Sequence, residues 1–421
     1  MDATPSPATG EASHATPPAI PIHFAEFVAL TALLMALTAL SIDIMLPALP
    51  EIARSLHVAS ENDRQLVVIV YMAGFAVGQF VYGPLSDHMG RKPVLMAGLA
   101  IFVAGTVWAL ATDTFPGLLA ARLVQGLGAA SPRVIAIAVV RDLYSGRQMA
   151  RVMSFTMMVF IIIPVLAPSI GQALLHAGDW RWTFHGLLGT GLAAALWAGL
   201  RLPETGRSAQ GTGRPTPLAT AFKAVVLNPQ TIGYGAASGF MFACLLTYVA
   251  SSQQIFVEIY GLGAAFPLAF GAIASLLAAA SFVNARHVVR WGMRRLSHTA
   301  LATCIFTALT LALLAWRGLA TLPVFFVLVA AVFFLFGLVA PNFNALAMEP
   351  QGDNAGMASS VVGSLSTAIG ATLAGIAGRA YDGTVLPMAL GFVAATVLSA
   401  AIVLAVEGRA GLFGGGHNHS P

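Results

Sequence analysis

The sequence predicts an all-α membrane protein: twelve transmembrane helices in two pseudo-symmetric six-helix bundles, with both termini cytoplasmic. Three observations carry that expectation. Only 38 of the 421 residues are charged, 21 Lys and Arg against 17 Asp and Glu, or 9%; a soluble protein carries about 25%. The charges fall in short intervals between apolar stretches of membrane-crossing length. One long polar interruption divides those stretches six and six.

Hydrophobic residues make up 57% of the chain and the mean hydropathy is +0.81. So few polar residues cannot cover two or three soluble domains, and the same numbers exclude disorder for the bulk. Two cysteines, Cys244 and Cys304, both in apolar stretches, exclude a disulfide scaffold.

A helix crosses the hydrocarbon core in about 20 apolar residues. Ten stretches of 19 residues or more lack Asp, Glu, Lys and Arg: 65–86, 93–112, 152–178, 182–200, 224–257, 259–285, 296–316, 318–348, 354–378 and 383–406. Two more are as apolar but carry internal charge, 24–48 with Asp43 and 115–140 with Arg122 and Arg133. These lengths exclude barrel strands, which alternate over about 10 residues. With the N-terminus inside, 14 basic residues fall on cytoplasmic segments and 5 outside, the remaining two lying in a span, as the positive-inside rule requires. The net charge of +4 is therefore topology signal, with no basic stripe for nucleic acid.

The expected organisation is a disordered tail at 1–22, a first bundle at 23–201, a linker at 202–228, a second bundle at 229–407 and a flexible tail at 408–421. The N-terminal tail lacks the basic start and apolar run of a secretory signal. Two histidines near the end, His417 and His419, sit among glycines and do not make a preformed metal site. The linker is rich in Pro, Gly, Thr and Arg. The halves echo each other: His88-Met89-Gly90-Arg91-Lys92 follows the second span, and Arg290-Trp291-Gly292-Met293-Arg294-Arg295 follows the eighth. Gly128-Ala129-Ala130-Ser131-Pro132-Arg133 likewise echoes Gly337-Leu338-Val339-Ala340-Pro341-Asn342. Such repeats mark secondary transporters, with substrate held near midplane. An enzyme is disfavoured: the chain has no His-Glu-x-x-His, no Gly-x-Ser-x-Gly, no phosphate-binding loop and no intramembrane histidine cluster.

The segment Gly83-Pro84-Leu85-Ser86-Asp87-His88-Met89-Gly90-Arg91-Lys92-Pro93 resembles the loop 2–3 motif of the major facilitator superfamily. Arg122-Leu123-Val124-Gln125-Gly126 is similar to the fourth-helix motif of its proton-coupled members. Ser41-Ile42-Asp43-Ile44-Met45-Leu46-Pro47, Val140-Arg141-Asp142-Leu143-Tyr144 and Trp180-Arg181-Trp182 resemble the bicyclomycin-resistance (Bcr/CflA) branch of drug:proton antiporters. The likeness covers about 24–407. The fifth-helix antiporter motif departs from its usual Gly-Pro-x-x-Gly-Gly, reading Ala167-Pro168-Ser169-Ile170-Gly171-Gln172. Pro168 and Gly171 survive and still permit a kinked, closely packed helix, but the departure weakens antiport against symport. The resemblance implies efflux of small amphipathic compounds such as antibiotics from a bacterial inner membrane, driven by the proton gradient with no cofactor or metal. The implied partners are a small molecule, protons and the bilayer, with the chain acting as a monomer. A metabolite or nutrient transporter of the same fold is the alternative.

Asp43 is the one acidic residue well inside a span. A carboxylate there costs several kcal/mol or takes up a proton, so it can load and release one as access alternates; a static helix contact is the bland alternative. Arg122 is expected about as far below the outer surface as Asp43, from the 1.5 Å rise per residue, so the two could pair directly or through water. Gln125 is one turn away on the same face. Arg133, three turns on, should face the cavity, binding a substrate oxygen or a neighbouring carbonyl. If both arginines line the cavity, its charge is +1 with Asp43 ionised, which favours neutral or anionic substrates. Tyr248, Gln254, Asn342 and Asn344 are further cavity candidates. By resemblance, Gly83, Asp87, Gly90, Arg91 and Lys92 form a conformational switch, with Asp87 and Arg91 clamping the outward-open state. Glu26 reads as a solvated helix start.

Overall fold

The computed structural model describes residues 22–144, 146–205 and 217–411, without the side chains at 146, 147, 150, 154, 157–161, 353 and 409–411. The bulk of both expected tails and the linker centre, 206–216, lie outside the described residues. Every regular element among them is helical: α1 (Phe24–Asp43), α2 (Leu49–Ser55), α3 (Leu66–Met89), α4 (Arg91–Ala111), α5 (Phe115–Leu143), α6 (Gly146–Ala177) and α7 (Arg181–Arg201), then α8 (Leu218–Val226), α9 (Pro229–Gln253), α10 (Phe266–Trp291), α11 (Met293–Trp316), α12 (Leu322–Met348), α13 (Ala355–Arg379) and α14 (Leu386–Gly411).

Eleven helical segments among the described residues are long and apolar enough to cross a membrane. The sequence reading has twelve. The difference is α6, a 32-residue helix whose side chains at 157–161 lie outside the described residues, which leaves Ile162–Ala177 as its described apolar stretch. The first segment overruns its expected end, continuing through a turn at Leu46–Ala48 into α2.

Helix starts follow ordinary capping chemistry. Thr114 accepts from the Gly117 amide to start α5, and Asn228 from the Thr231 amide at 2.9 Å to start α9, each followed by a proline in the first turn. The expected linker holds the short helix α8, which packs Ala221 and Val225 on Met357, Ala358 and Val361 of α13. Glu26 is not merely solvated: it accepts from Arg201 at 2.6 and 2.7 Å and from the Trp197 indole at 3.2 Å, tying α1 to α7.

The internal repeat has a structural counterpart. Gly90 (φ +95°) separates α3 from α4, and Gly292 (φ +77°) separates α10 from α11. An arginine in the first turn beyond each glycine then reaches an acid at the end of the following helix. Arg91 pairs with Asp142 at 2.9 Å, and Arg294 with Glu349 at 3.2 Å. The backbone at both glycines suits glycine alone. The surroundings differ. Glu204 accepts from the Arg91 and Lys92 amides at 2.7 and 3.0 Å, and a Cβ on Gly90 would press on its carboxylate, whereas Gly292 faces open space. We expect Gly292→Ala to cost about 1–3 kcal/mol of backbone strain. Gly90→Ala should cost more, because the anionic cap on the N-terminus of α4 is also displaced. Denaturation midpoints of the two variants compared directly would check the ordering.

Helices before the linker pack chiefly on one another, as do those after it, and α3 against α13 and α6 against α10 join the two sets. The α3–α13 seam is built on small residues. A Cβ on Gly83 would collide with Ser360, and one on Gly378 with Gln65; Gly356 faces Asp87, and Gly363 faces Gln79. Small residues let membrane helices approach closely where no hydrophobic effect drives them together.

Candidate functional site

Between the two sets of helices lies a cavity of about 1130 Å³. Asp43, the last residue of α1, marks its inner limit; it is buried, 4% exposed, and lines the cavity. From there the cavity runs to Asp87, Arg91 and the exposed Arg141 at the other extreme. Arg133 and Gln79 line one wall. Tyr248, Phe270 and Phe333 form an aromatic wall opposite, with Tyr248 stacked on Phe270 at 5.2 Å and edge-on to Phe333 at 4.6 Å. Asn344 and Thr367 also line it.

Arg122 is not in that lining. It is fully buried and holds a set of main-chain and side-chain oxygens: Nε donates to Val67 O at 3.0 Å, Nη2 to Ser41 O at 3.1 Å and Nη1 to Gln125 Oε1 at 2.5 Å. Its guanidinium lies over the Tyr71 ring at 4.2 Å. Gln125 in turn donates to Thr106 at 2.8 Å and also stays out of the cavity. Among the described residues no ion pair joins Arg122 to Asp43. The arginine instead grips Ser41 O, a carbonyl in the last turn of α1 that has no helical partner of its own. It thereby fixes the helix end that carries Asp43. α6 fixes the same end from the other side: Pro168 is buried, and a Cβ on Gly171 would collide with the Ile44 carbonyl.

Two further expected cavity residues stand elsewhere. Asn342 donates to Asn284 Oδ1 at 2.6 Å and to Leu338 O at 2.7 Å, joining α12 to α10. Gln254 is buried in a polar contact beyond the inner limit of the cavity, where it accepts from Gln65.

That contact belongs to a latch between the two sets of helices, which the sequence reading missed. Arg64 pairs with Glu258. Asn62 donates to Tyr381 O at 2.7 Å and Arg379 O at 3.1 Å, and Asp63 pairs with Arg379 at 3.4 Å. Burial pushes the Tyr381 phenol up to about 12, so it stays neutral at physiological pH. Gln254 and Glu258 sit on a π-helical turn, Gln254–Ile259, in which the Tyr260 amide reaches back five residues to Ile255 O at 3.1 Å. The latch closes the molecule on the Arg64 side of Asp43, so the cavity opens on the Asp87 side. We expect Arg64→Ala to raise, several-fold, maleimide labelling of a cysteine at Met72, a buried cavity position, from the Arg64 side. Labelling of the Met72→Cys protein with and without the second change, in a background lacking Cys244 and Cys304, reads this directly.

At the Asp87 end the switch residues come together. Arg91 is 3% exposed, pairing with Asp87 at 2.7 Å and Asp142 at 2.9 Å and donating to Ser86 Oγ at 2.7 Å. Lys92 adds its backbone amide to the Glu204 cap. Gly83 and Asp87 face the start of α13.

Residues 31–375 match the family model described as the Major Facilitator Superfamily. The chain is 31% identical to YdgK of Bacillus subtilis (strain 168), an uncharacterised transporter of that type, over 91% of this chain and 96% of the relative. It is 29% identical to the bicyclomycin resistance protein homolog of Haemophilus influenzae, over 89% of this chain and 94% of that one. The xylose transporter XylE of E. coli, solved in a partially occluded inward-open conformation, shares the fold: TM-score 0.69, 11% identity, covering 91% of this chain and 97% of that structure.

Proposed function

Because the chain belongs to the Major Facilitator Superfamily, a family of transporters and not enzymes, we propose that it is a proton-coupled efflux antiporter for small amphipathic compounds. The observation that carries this is a cavity between two packed sets of helices, open at one end and latched at the other, with one buried carboxylate at its inner limit. Relatives named for bicyclomycin and multidrug resistance support the direction and cargo. On this proposal the chain has twelve spans in two six-helix halves, 23–201 and 229–407, joined by the linker at 202–228. Both termini are cytoplasmic, in a bacterial inner membrane, and the protein works as a monomer.

Alternating access then means rocking the halves about the cavity. The Arg64–Glu258 latch closes the outer side and the Asp87–Arg91 cluster guards the inner one. Asp43 exchanges a proton with whichever side is open. Arg122 acts as a positioning residue: it holds the end of α1, so that a change in the charge of Asp43 shifts a backbone joined to α3 and α5. A ligand biases the switch only through different affinities for the two states.

The test is proton flux in proteoliposomes on addition of candidate drugs. A drug-dependent proton signal establishes antiport. Drug movement with no proton signal would make the protein a facilitator or a carrier coupled to another ion. Metabolite-dependent flux without drug-dependent flux would favour a nutrient or metabolite carrier.

A further inference from the structure

The helix inside the linker is one-sided. Leu218, Ala221, Phe222, Val225 and Val226 of α8 fall within about 140° of its circumference at 100° per residue. Thr220, Lys223 and Ala224 occupy the other side and are exposed. One margin of the apolar arc is used inside the protein, where Ala221 and Val225 rest on Met357, Ala358 and Val361 of α13. The other margin, Leu218, Phe222 and Val226, is exposed. From it the Phe222 ring meets the Phe80 ring of α3 edge-on at 5.9 Å.

Three observations identify what covers that margin. First, α8 sits on the side of the seam away from the cavity: Gly356, Ser360 and Gly363 of α13 line the cavity, whereas Met357, Ala358 and Val361 beneath α8 do not. Second, Phe80 shares one face of α3 with Val77 and Val81, all exposed and none lining the cavity. An exposed apolar face on a membrane-crossing helix, turned away from the cavity, meets acyl chains. The Phe80–Phe222 contact makes the free margin of α8 a continuation of that face. Third, α8 rests on the first two turns of α13, which begins at Ala355, level with Gly356 where it faces Asp87 near the end of α3. That is the level at which spans pass from hydrocarbon to headgroups. Lys223, on the far side of α8, keeps its ammonium in water there.

We propose that α8 is a membrane-docking helix, with its Leu218–Phe222–Val226 margin sunk among the acyl chains of the leaflet on the Asp87 side. That leaflet is the cytoplasmic one on the topology proposed above. Interfacial helices of this kind seat their apolar face ~5–10 Å into the boundary between headgroups and chains. The seated helix is also a clasp. Phe222 touches α3 of the first set while Ala221 and Val225 hold α13 of the second. Parting α3 from α13 at this end therefore breaks the Phe80–Phe222 contact, and the bilayer helps hold the seam.

The test uses the full-length protein in a background lacking Cys244 and Cys304. Leu218→Cys, Phe222→Cys, Val226→Cys, Thr220→Cys and Ala224→Cys are each labelled in detergent with an environment-sensitive fluorophore and reconstituted into phosphatidylcholine vesicles. The quenchers are a lipid carrying a nitroxide near the headgroup end of its chain, and aqueous iodide. The lipid nitroxide should quench the first three labels several-fold more strongly than the last two, and iodide should show the reverse order. Iodide quenching that is equal on both sides of the helix overturns the docking. Protection of the margin from both quenchers also overturns it and gives the surface to protein, either residues 206–216 or a second copy of the chain. Phe80→Cys combined with Phe222→Cys should be joined by a short bismaleimide; failure to join, when each single cysteine labels, removes the clasp. None of these results bears on proton-coupled efflux, which the flux measurement tests separately.

Discussion

Asp43→Asn protein in proteoliposomes will show no drug-driven proton movement above protein-free vesicles. Asparagine keeps the size and polarity of the side chain and cannot carry the proton. The site tolerates it structurally: among the described residues no side chain ion-pairs with Asp43, so the exchange strands no partner charge. The measurement is a pH-sensitive dye inside the vesicles, with wild type alongside. A wild-type-sized proton signal from the variant would remove Asp43 from the coupling site.

Arg122→Ala will be the most damaging single substitution among the site residues, for a different reason. The side chain is fully buried and satisfies Val67 O, Ser41 O and Gln125 Oε1 while covering the Tyr71 ring. Alanine leaves Ser41 O and Gln125 Oε1 without this donor, takes a second donor from Val67 O and opens a void between three helices. A hydrogen bond to a charged group contributes about 1.5–3 kcal/mol, so the loss should reach at least about 3 kcal/mol. Arg122→Lys should recover only part of it, because an ammonium lacks the planar fork that reaches separate acceptors. Thermal midpoints in detergent should fall in the order wild type, lysine, alanine. A stable, fully active alanine variant would refute the positioning role.

The spans were legible because charge is so expensive in hydrocarbon that its absence outlines the helices directly. The repeat was legible because a positive-φ turn needs glycine, and Gly90 and Gly292 stand at matching places. Asp43 was legible as a lone carboxylate in a span, and the structure puts it on the cavity wall. The facing of other polar residues was not. Asn342 and Asn344 are two residues apart, about 200° around a helix at 3.6 residues per turn, so at most one could face the cavity; Asn344 does. Tyr248 and Gln254 are six apart, again on different faces, and Gln254 turns to the latch. Arg122 and Arg133 do share a face, as their spacing predicts. What separates them is depth: at the level of Asp43 the helices close around Arg122, and toward the Asp87 end they part around Arg133. Depth of closure is a property of the packed bundle, invisible in one helix's periodicity. The Arg64–Glu258 pair was missed because each residue reads as an ordinary loop-edge charge and 194 positions separate them.

The π-helical turn at Gln254–Ile259 stores one residue of slack. An α-helical segment advances about 100° per residue, so rewinding that turn to α geometry would rotate Glu258 and its neighbours by about that angle around the axis of α9. The Arg64 and Gln65 partners, fixed on the other half, would be left behind. The seal on that side is thus mounted on a wound spring: it can let go by local rewinding over a few residues, before either half of the protein has moved as a body.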